Sequence, residues 1–186
     1  EGTMIKQDRD MLGSILDLND VPVSDIMVHR QSVDTINADL PASEIIALAV
    51  GMLHSRIPLW SGRADNIIGV LHVKDLIRMF NGNGGHVTNA LIEGIIHKPW
   101  FIPETTSLRD QLLAFRSKRQ HFAFVVNEYG DIEGLVTLED ILEEIVGEFT
   151  TDPATVMHKD IHLEHPGVYI VNASATIRAL NRALQW

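Results

Sequence analysis

The chain has 186 residues, 45% of them hydrophobic, and a formal net charge of −10. That length supports a buried core, while the acidity argues against a nucleic-acid surface and against direct binding to an anionic bilayer. With no cysteine, disulfides and structural thiolate metal sites are excluded, which fits a cytoplasmic address, and no continuous apolar run reaches the roughly 18 residues that a membrane span needs.

Taken in order, residues 4–18 carry Ile5, Leu12, Ile15, Leu16 and Leu18 among charges, the pattern of an amphipathic helix that needs a partner. Asn19 to Pro22 breaks it, and a short segment over 23–28 leads to His29 and Arg30. The spacing then predicts a strand over 33–36, a helix over 41–54, an edge or bulged strand over 57–60 containing Pro58, a turn over 61–66, a strand over 67–71 and a helix over 73–80. Residues 81–85 form a glycine-rich joint, and 91–96 a short connecting helix. The order then recurs: strand 100–102, helix 108–119, strand 122–126, turn 127–131, strand 132–136 and helix 138–146. In the tail, 160–164 and 168–172 alternate like strands, and 175–186 reads as a helix.

The recurrence is a duplication. Gly69-Val70-Leu71-His72-Val73-Lys74-Asp75 falls on Gly134-Leu135-Val136-Thr137-Leu138-Glu139-Asp140 at an offset of 65, so each unit reads β-α-β-β-α and ends in a strand running straight into an amphipathic helix. Thr137 stands where an N-cap belongs, with Glu139 and Asp140 in the first turn. Glu139, Glu143, Glu144 and Glu148 line one acidic helix face, of the kind usually solvated. His158, His162 and His165 lack a helical i, i+4 spacing and read as loop histidines. No Ser/His/Asp constellation, phosphate-binding glycine loop or His-Glu-x-x-His run is present, so no enzyme activity is expected.

Two such units in tandem resemble a pair of CBS domains, the adenine-nucleotide-sensing modules that pack into a Bateman unit. The runs Asp25-Ile26-Met27-Val28, His54 to Leu59, Val126 to Gly130 and Leu135 to Glu148 are similar to the CorC/HlyC and cyclin M family, over roughly residues 4–150. The resemblance implies an α/β (α+β) fold of two CBS domains in a pseudo-twofold pair. The expected bounds are 1–20 for an N-terminal helix leading to an upstream membrane part, 21–82 and 98–150 for the two modules, 83–97 for a linker, and 151–186 for a linker and the incomplete start of a CorC/HlyC-associated domain.

Members of that family join a DUF21-type transmembrane domain to this cytosolic pair and are implicated in magnesium and cobalt export. The chain is accordingly expected to be a soluble regulatory piece on the cytoplasmic side of the inner membrane. Its implied ligand is ATP, with AMP or ADP as alternatives and Mg2+ carried on the nucleotide rather than in a cage of protein ligands. The site implied by resemblance uses Asp140 for the ribose hydroxyls, Thr137 and Glu139 at the helix start near the phosphates, Met27 and Val28 for the base, and Ser55, Arg56 and Pro58 alongside. Arg56 is the implied phosphate partner. A second site would use Asp75 with Trp100, Phe101, Gln120 and His121, but His72 stands where the hydroxyl residue belongs and Lys74 where Glu139 does, so one site per chain is expected. Apolar helix faces including Ile45, Leu48, Met52, Leu76, Met79, Ile141, Leu142 and Ile145 imply a homodimer through the module helices. The alternatives are an adenylate sensor for an attached enzyme and a dimerisation scaffold with vestigial clefts.

Overall fold

The computed structural model describes residue 13 and residues 15–146, 161–165 and 168–171. The first module is β2 (Ile36–Asn37), α1 (Ala42–Gly51), β3 (Arg56–Ser61), β4 (Arg63–His72) and α2 (Val73–Gly82); the second is β5 (Phe101–Pro103), α4 (Leu108–Lys118), β6 (Phe122–Val126), β7 (Ile132–Thr137) and α5 (Leu138–Val146). Ahead of them lies β1 (Val28–His29), between them α3 (Asn89–Glu93), and after them the hairpin β8 (Ile161–His165) and β9 (Val168–Val171). Each module has the duplicated β-α-β-β-α order.

The strand order is β2-β3-β4 in one sheet and β1-β7-β6-β5 in the other. In each module the first two strands are parallel and so need a crossover, which α1 and α4 supply. Alternation splits the strand residues between two faces. Ile57, Leu59 and Leu71 join Ile36, Ile45, Ala49 and Leu76 in one core. Ala123, Val125 and Val136 join Ile102, Leu108, Phe115 and Ile141 in the other. The opposite faces meet each other through Val70, Phe124 and Leu135, flanked by Ile67, Phe122 and Ile132. Burial on both faces accounts for the unbroken apolar run Phe122 to Val126.

Three expectations change. The strand expected at 33–36 lies at Ile36–Asn37, where it pairs with Leu59 and Trp60. The turn expected over 61–66 closes at Gly62, whose φ of 71° permits a tight reversal and leaves Arg63 on the strand. Asp39 clamps that turn, accepting from Ser61 Oγ at 2.7 Å and from the Gly62 N–H at 2.8 Å. These bonds hold its carboxyl below the usual range.

The third change concerns which core each connecting segment enters. Leu18, Val21 and Val23 are buried in the second module's core, and the Val23 N–H donates to the Thr106 carbonyl at 2.8 Å while the Leu108 N–H donates to Val21 at 2.9 Å. Conversely Ile92 is buried in the first module's core, with Val87, Ile95 and Ile96 packed against it. Residues expected to open the first module thus pack on the second, and the expected linker 83–97 helps to complete the first. The helix expected over 4–18 and the one over 175–186 lie largely or wholly outside the described residues, as does His158; the expected strands of the tail correspond to β8 and β9.

Candidate functional site at the strand-to-helix junctions

Both repeated junctions sit where a segment from outside their own β-α-β-β-α unit meets the sheet. At Gly134 a Cβ would run into the Val28 carbonyl oxygen and lie 3.1 Å from Met27 Sδ. At Gly69 it would run into Ile96 Cγ2 and lie 2.8 Å from the His97 carbonyl oxygen. Only glycine lets the crossing backbones approach this closely. Val28 pairs with Leu135, and His97 exchanges two 2.9 Å backbone bonds with Val70. Since Val70 and Leu135 are 65 positions apart, His97 occupies in the first junction the place of Val28 in the second.

In the second junction, Thr137 Oγ1 accepts from the Asp140 N–H at 3.2 Å, while Asp140 Oδ2 accepts from the Thr137 N–H and from its hydroxyl, each at 2.7 Å. This is a reciprocal capping box with aspartate in the place of the usual glutamate. Asp140 Oδ1 has no hydrogen bond among the described residues. Glu139 is exposed in the same turn, and on the crossing segment Val28 pairs with Leu135 of the strand that leads into it.

The first junction is built differently. His72, at the N-cap of α2, makes no side-chain cap bond. Asp75 turns instead to His97, whose Nε2 lies 3.0 Å from Oδ2; His72 Nδ1 lies 3.8 Å from the same oxygen, and Arg78 donates to Oδ1 at 3.1 Å. The His72 and His97 rings stack with centroids 4.0 Å apart and 18° between planes. The His97 hydrogen bond holds the Asp75 carboxyl below its usual range. Burial, then repulsion from His97 and Arg56, pushes the His72 imidazole down. A cavity of about 410 Å³ opens beside this cluster, floored by Met79 and Ile95.

Strand pairing divides the expected residues between the junctions in its own way. Thr137 and Asp140 are bonded to each other with Glu139 in the same turn, and Met27 and Val28 meet the preceding strand at Gly134 and Leu135. Arg56 pairs with His72, and the Ser55 carbonyl accepts from the Val73 N–H at 3.0 Å, so both stand at the Asp75 junction. The His121 carbonyl accepts from the Leu138 N–H at 3.0 Å, which puts His121 at the Asp140 junction. An antiparallel hairpin brings the start of its first strand back beside the end of its own second strand, so Arg56 and His121 exchange the places expected of them. Pro58, paired with Val70, is buried. Phe101 leans on Phe124 at 5.5 Å, whereas Trp100 packs edge-on against Phe115 with Lys118 over its ring. His97 was not legible as a site residue, because it reaches Asp75 only through the crossing segment, whereas the i, i+3 spacing of Arg78 from Asp75 was the signal that could have found that pair.

The CBS-domain family model matches residues 23–82 and 92–147. The chain belongs to the CBS-domain family, as a tandem pair. It is 35% identical over 181 residues to the inner membrane protein YfjD of Escherichia coli, covering 97% of this chain and 42% of that protein. It is 34% identical over 173 residues to the magnesium and cobalt efflux protein CorC of Vibrio cholerae, covering 93% of this chain and 58% of that one. The chain thus spans about half the length of these relatives. Among solved structures, the CBS domain of a bacterial CNNM/CorC family Mg2+ transporter in complex with ATP superposes with a TM-score of 0.65 at 35% identity, covering 76% of this chain and 98% of that one. The CBS pair is of the CorC/CNNM type, as the runs around Met27 and Asp140 imply.

Proposed function

We propose that this CBS pair is the regulatory part of a magnesium or cobalt transport protein and binds ATP, with Mg2+ on its phosphates, at the Asp140 junction. The observation that carries this reading is the difference between the two aspartates. Asp75 has both oxygens engaged by histidine and arginine, whereas Asp140 keeps Oδ1 for a ribose hydroxyl and spends Oδ2 on a local cap. Met27 and Val28 border the base, and the start of α5 with Thr137 and His121 faces the phosphates, where helix N–H groups favour an anion. The ATP complex of the related transporter domain supports the choice of nucleotide; AMP and ADP present the same base and ribose. No helix among the described residues is long and apolar enough to cross a membrane. Transport itself is therefore assigned to a DUF21-type membrane domain elsewhere in the full protein, with this pair on its cytoplasmic side.

A homodimer through the module helices belongs to the same reading; of the residues expected on those faces, Ile45, Leu76 and Ile141 are buried in the module cores, while Leu48 and Leu142 are exposed, as are Ile77 and Phe80. Nucleotide binding would shift such a dimer only as far as ATP prefers one arrangement over another.

Calorimetry tests the site. Hydrogen bonds to charged groups contribute roughly 1.5–3 kcal/mol, so Asp140→Asn should weaken ATP about tenfold to a hundredfold, and Asp75→Asn under about threefold. Equal losses in the two variants would refute the assignment.

A further inference from the structure

Where the second junction has Thr137 and Val28, the first has His72 and His97, and both imidazoles converge on one oxygen of the only acidic residue that the junctions share. We propose that His72 Nδ1, Asp75 Oδ2 and His97 Nε2 form a site for a single nitrogen-preferring divalent transition metal ion, Zn2+ or Co2+ by chemical class. The three ligand atoms lie within 4.8 Å of one another, with the oxygen 3.0 Å from His97 and 3.8 Å from His72. Ligand bonds of about 2.0–2.2 Å in a tetrahedron place ligand atoms about 3.3–3.6 Å apart, a separation that the two observed distances bracket; binding requires the stack of the two rings to open, because the ion must lie in the plane of each imidazole.

The ligands are also held from behind. His72 stands at the N-cap position of α2 without a side-chain cap bond, Asp75 is in the first turn, and His97 is pinned by its two backbone bonds to Val70. Arg78 binds the other carboxylate oxygen, which fixes the rotamer and leaves Oδ2 directed at the imidazoles. Three protein ligands beside an open cavity leave a fourth position for water or an external ligand. Two imidazoles with one carboxylate suit zinc or cobalt far better than magnesium, which prefers oxygen ligands and retains its water. The nearby Arg56 and Lys74 repel a cation and so weaken the affinity. The proposal does not rest on the ATP reading, since it concerns the other junction and needs no nucleotide.

The test uses the whole chain, stripped with a chelator and titrated with Co2+ or Zn2+ alone. The expected result is one ion per chain, with visible absorption typical of four-coordinate Co2+ that Zn2+ abolishes. His97→Val and His72→Thr install the residues that the second junction already carries, and each should weaken binding at least about tenfold and erase the Co2+ bands. Circular dichroism checks that these variants fold, and calorimetry checks that His97→Val still binds ATP, which separates failure here from failure of the nucleotide site. A triple variant of His158, His162 and His165 to alanine should bind Co2+ unchanged. Absence of binding at about 100 µM metal, Co2+ bands that survive His97→Val, or loss of binding in the triple variant would each overturn the proposal.

Discussion

At the second junction the aspartate folds back onto its own helix start, bonding the backbone and hydroxyl of Thr137; at the first it reaches across to His97 on a segment 22 residues downstream. Both begin with a glycine that a flanking segment's backbone crosses and continue through the same apolar pattern. The difference comes from two side chains. A threonine at the cap closes the carboxylate locally and leaves one oxygen uncommitted, whereas a histidine there leaves the carboxylate to be claimed by whatever the crossing segment presents. Duplication thus preserves the crossing geometry while the chemistry at its centre diverges.

The crossing glycines give the largest expected effect. In Gly134→Ala the new methyl meets the Val28 carbonyl, which is backbone in a strand pair and cannot yield cheaply. In Gly69→Ala the nearest atom is the Ile96 methyl, which can rotate, although the His97 carbonyl is also close. Overpacking of this kind costs about 1–3 kcal/mol. Gly134→Ala should lie near the upper end and Gly69→Ala below it, read as shifts in urea midpoint. A neutral Gly134→Ala would show that the crossing is not tight.

The caps come next. Thr137→Ala removes a side-chain N-cap and should cost about 1 kcal/mol, while His72→Ala removes no cap bond and should cost less by that measure. Equal costs in thermal melts would mean that the cap is not what separates the junctions.

The smallest effect lies in the hairpin turns. Asp39 holds the first turn with a titratable carboxylate, whereas Asn127 Oδ1 holds the second by accepting from the Tyr129 and Asp131 N–H groups, each at 3.0 Å. The folded-state pKa of Asp39 is depressed, so its contribution is present above the unfolded value near 3.8 and is lost as pH falls through the lowered folded value. Hydrogen exchange at the Gly62 amide should accelerate over that acid window relative to its intrinsic rate, and Asp39→Asn should remove the dependence. The Tyr129 amide should show no such step, because an asparagine does not titrate.

Much of the fold was legible because it is encoded locally. The order β-α-β-β-α follows from alternation giving way to helical spacing, the cap at Thr137 from its chemistry and place, and the duplication from glycine on glycine and aspartate on aspartate. The division of site residues was not. Arg56 and His121 were assigned across the modules, and pairing returns each to its own. His97 carried no signal, since its meeting with Asp75 depends on the strand bridge to Val70.

What the sequence by itself determined is the repeated unit, its element order, and the positions of Gly69, Gly134, Asp75 and Asp140, because propensity, periodicity and capping act over a few residues. Tertiary structure alone decided that Leu18, Val21 and Val23 complete the second core while Ile92 and Ile96 serve the first. Burial of apolar surface is non-directional, so an apolar residue states that it will be buried but not in which core. The choice is made by backbone pairing, Val28 against Leu135 and His97 against Val70, and that pairing sets two histidines around one aspartate and leaves the other aspartate open.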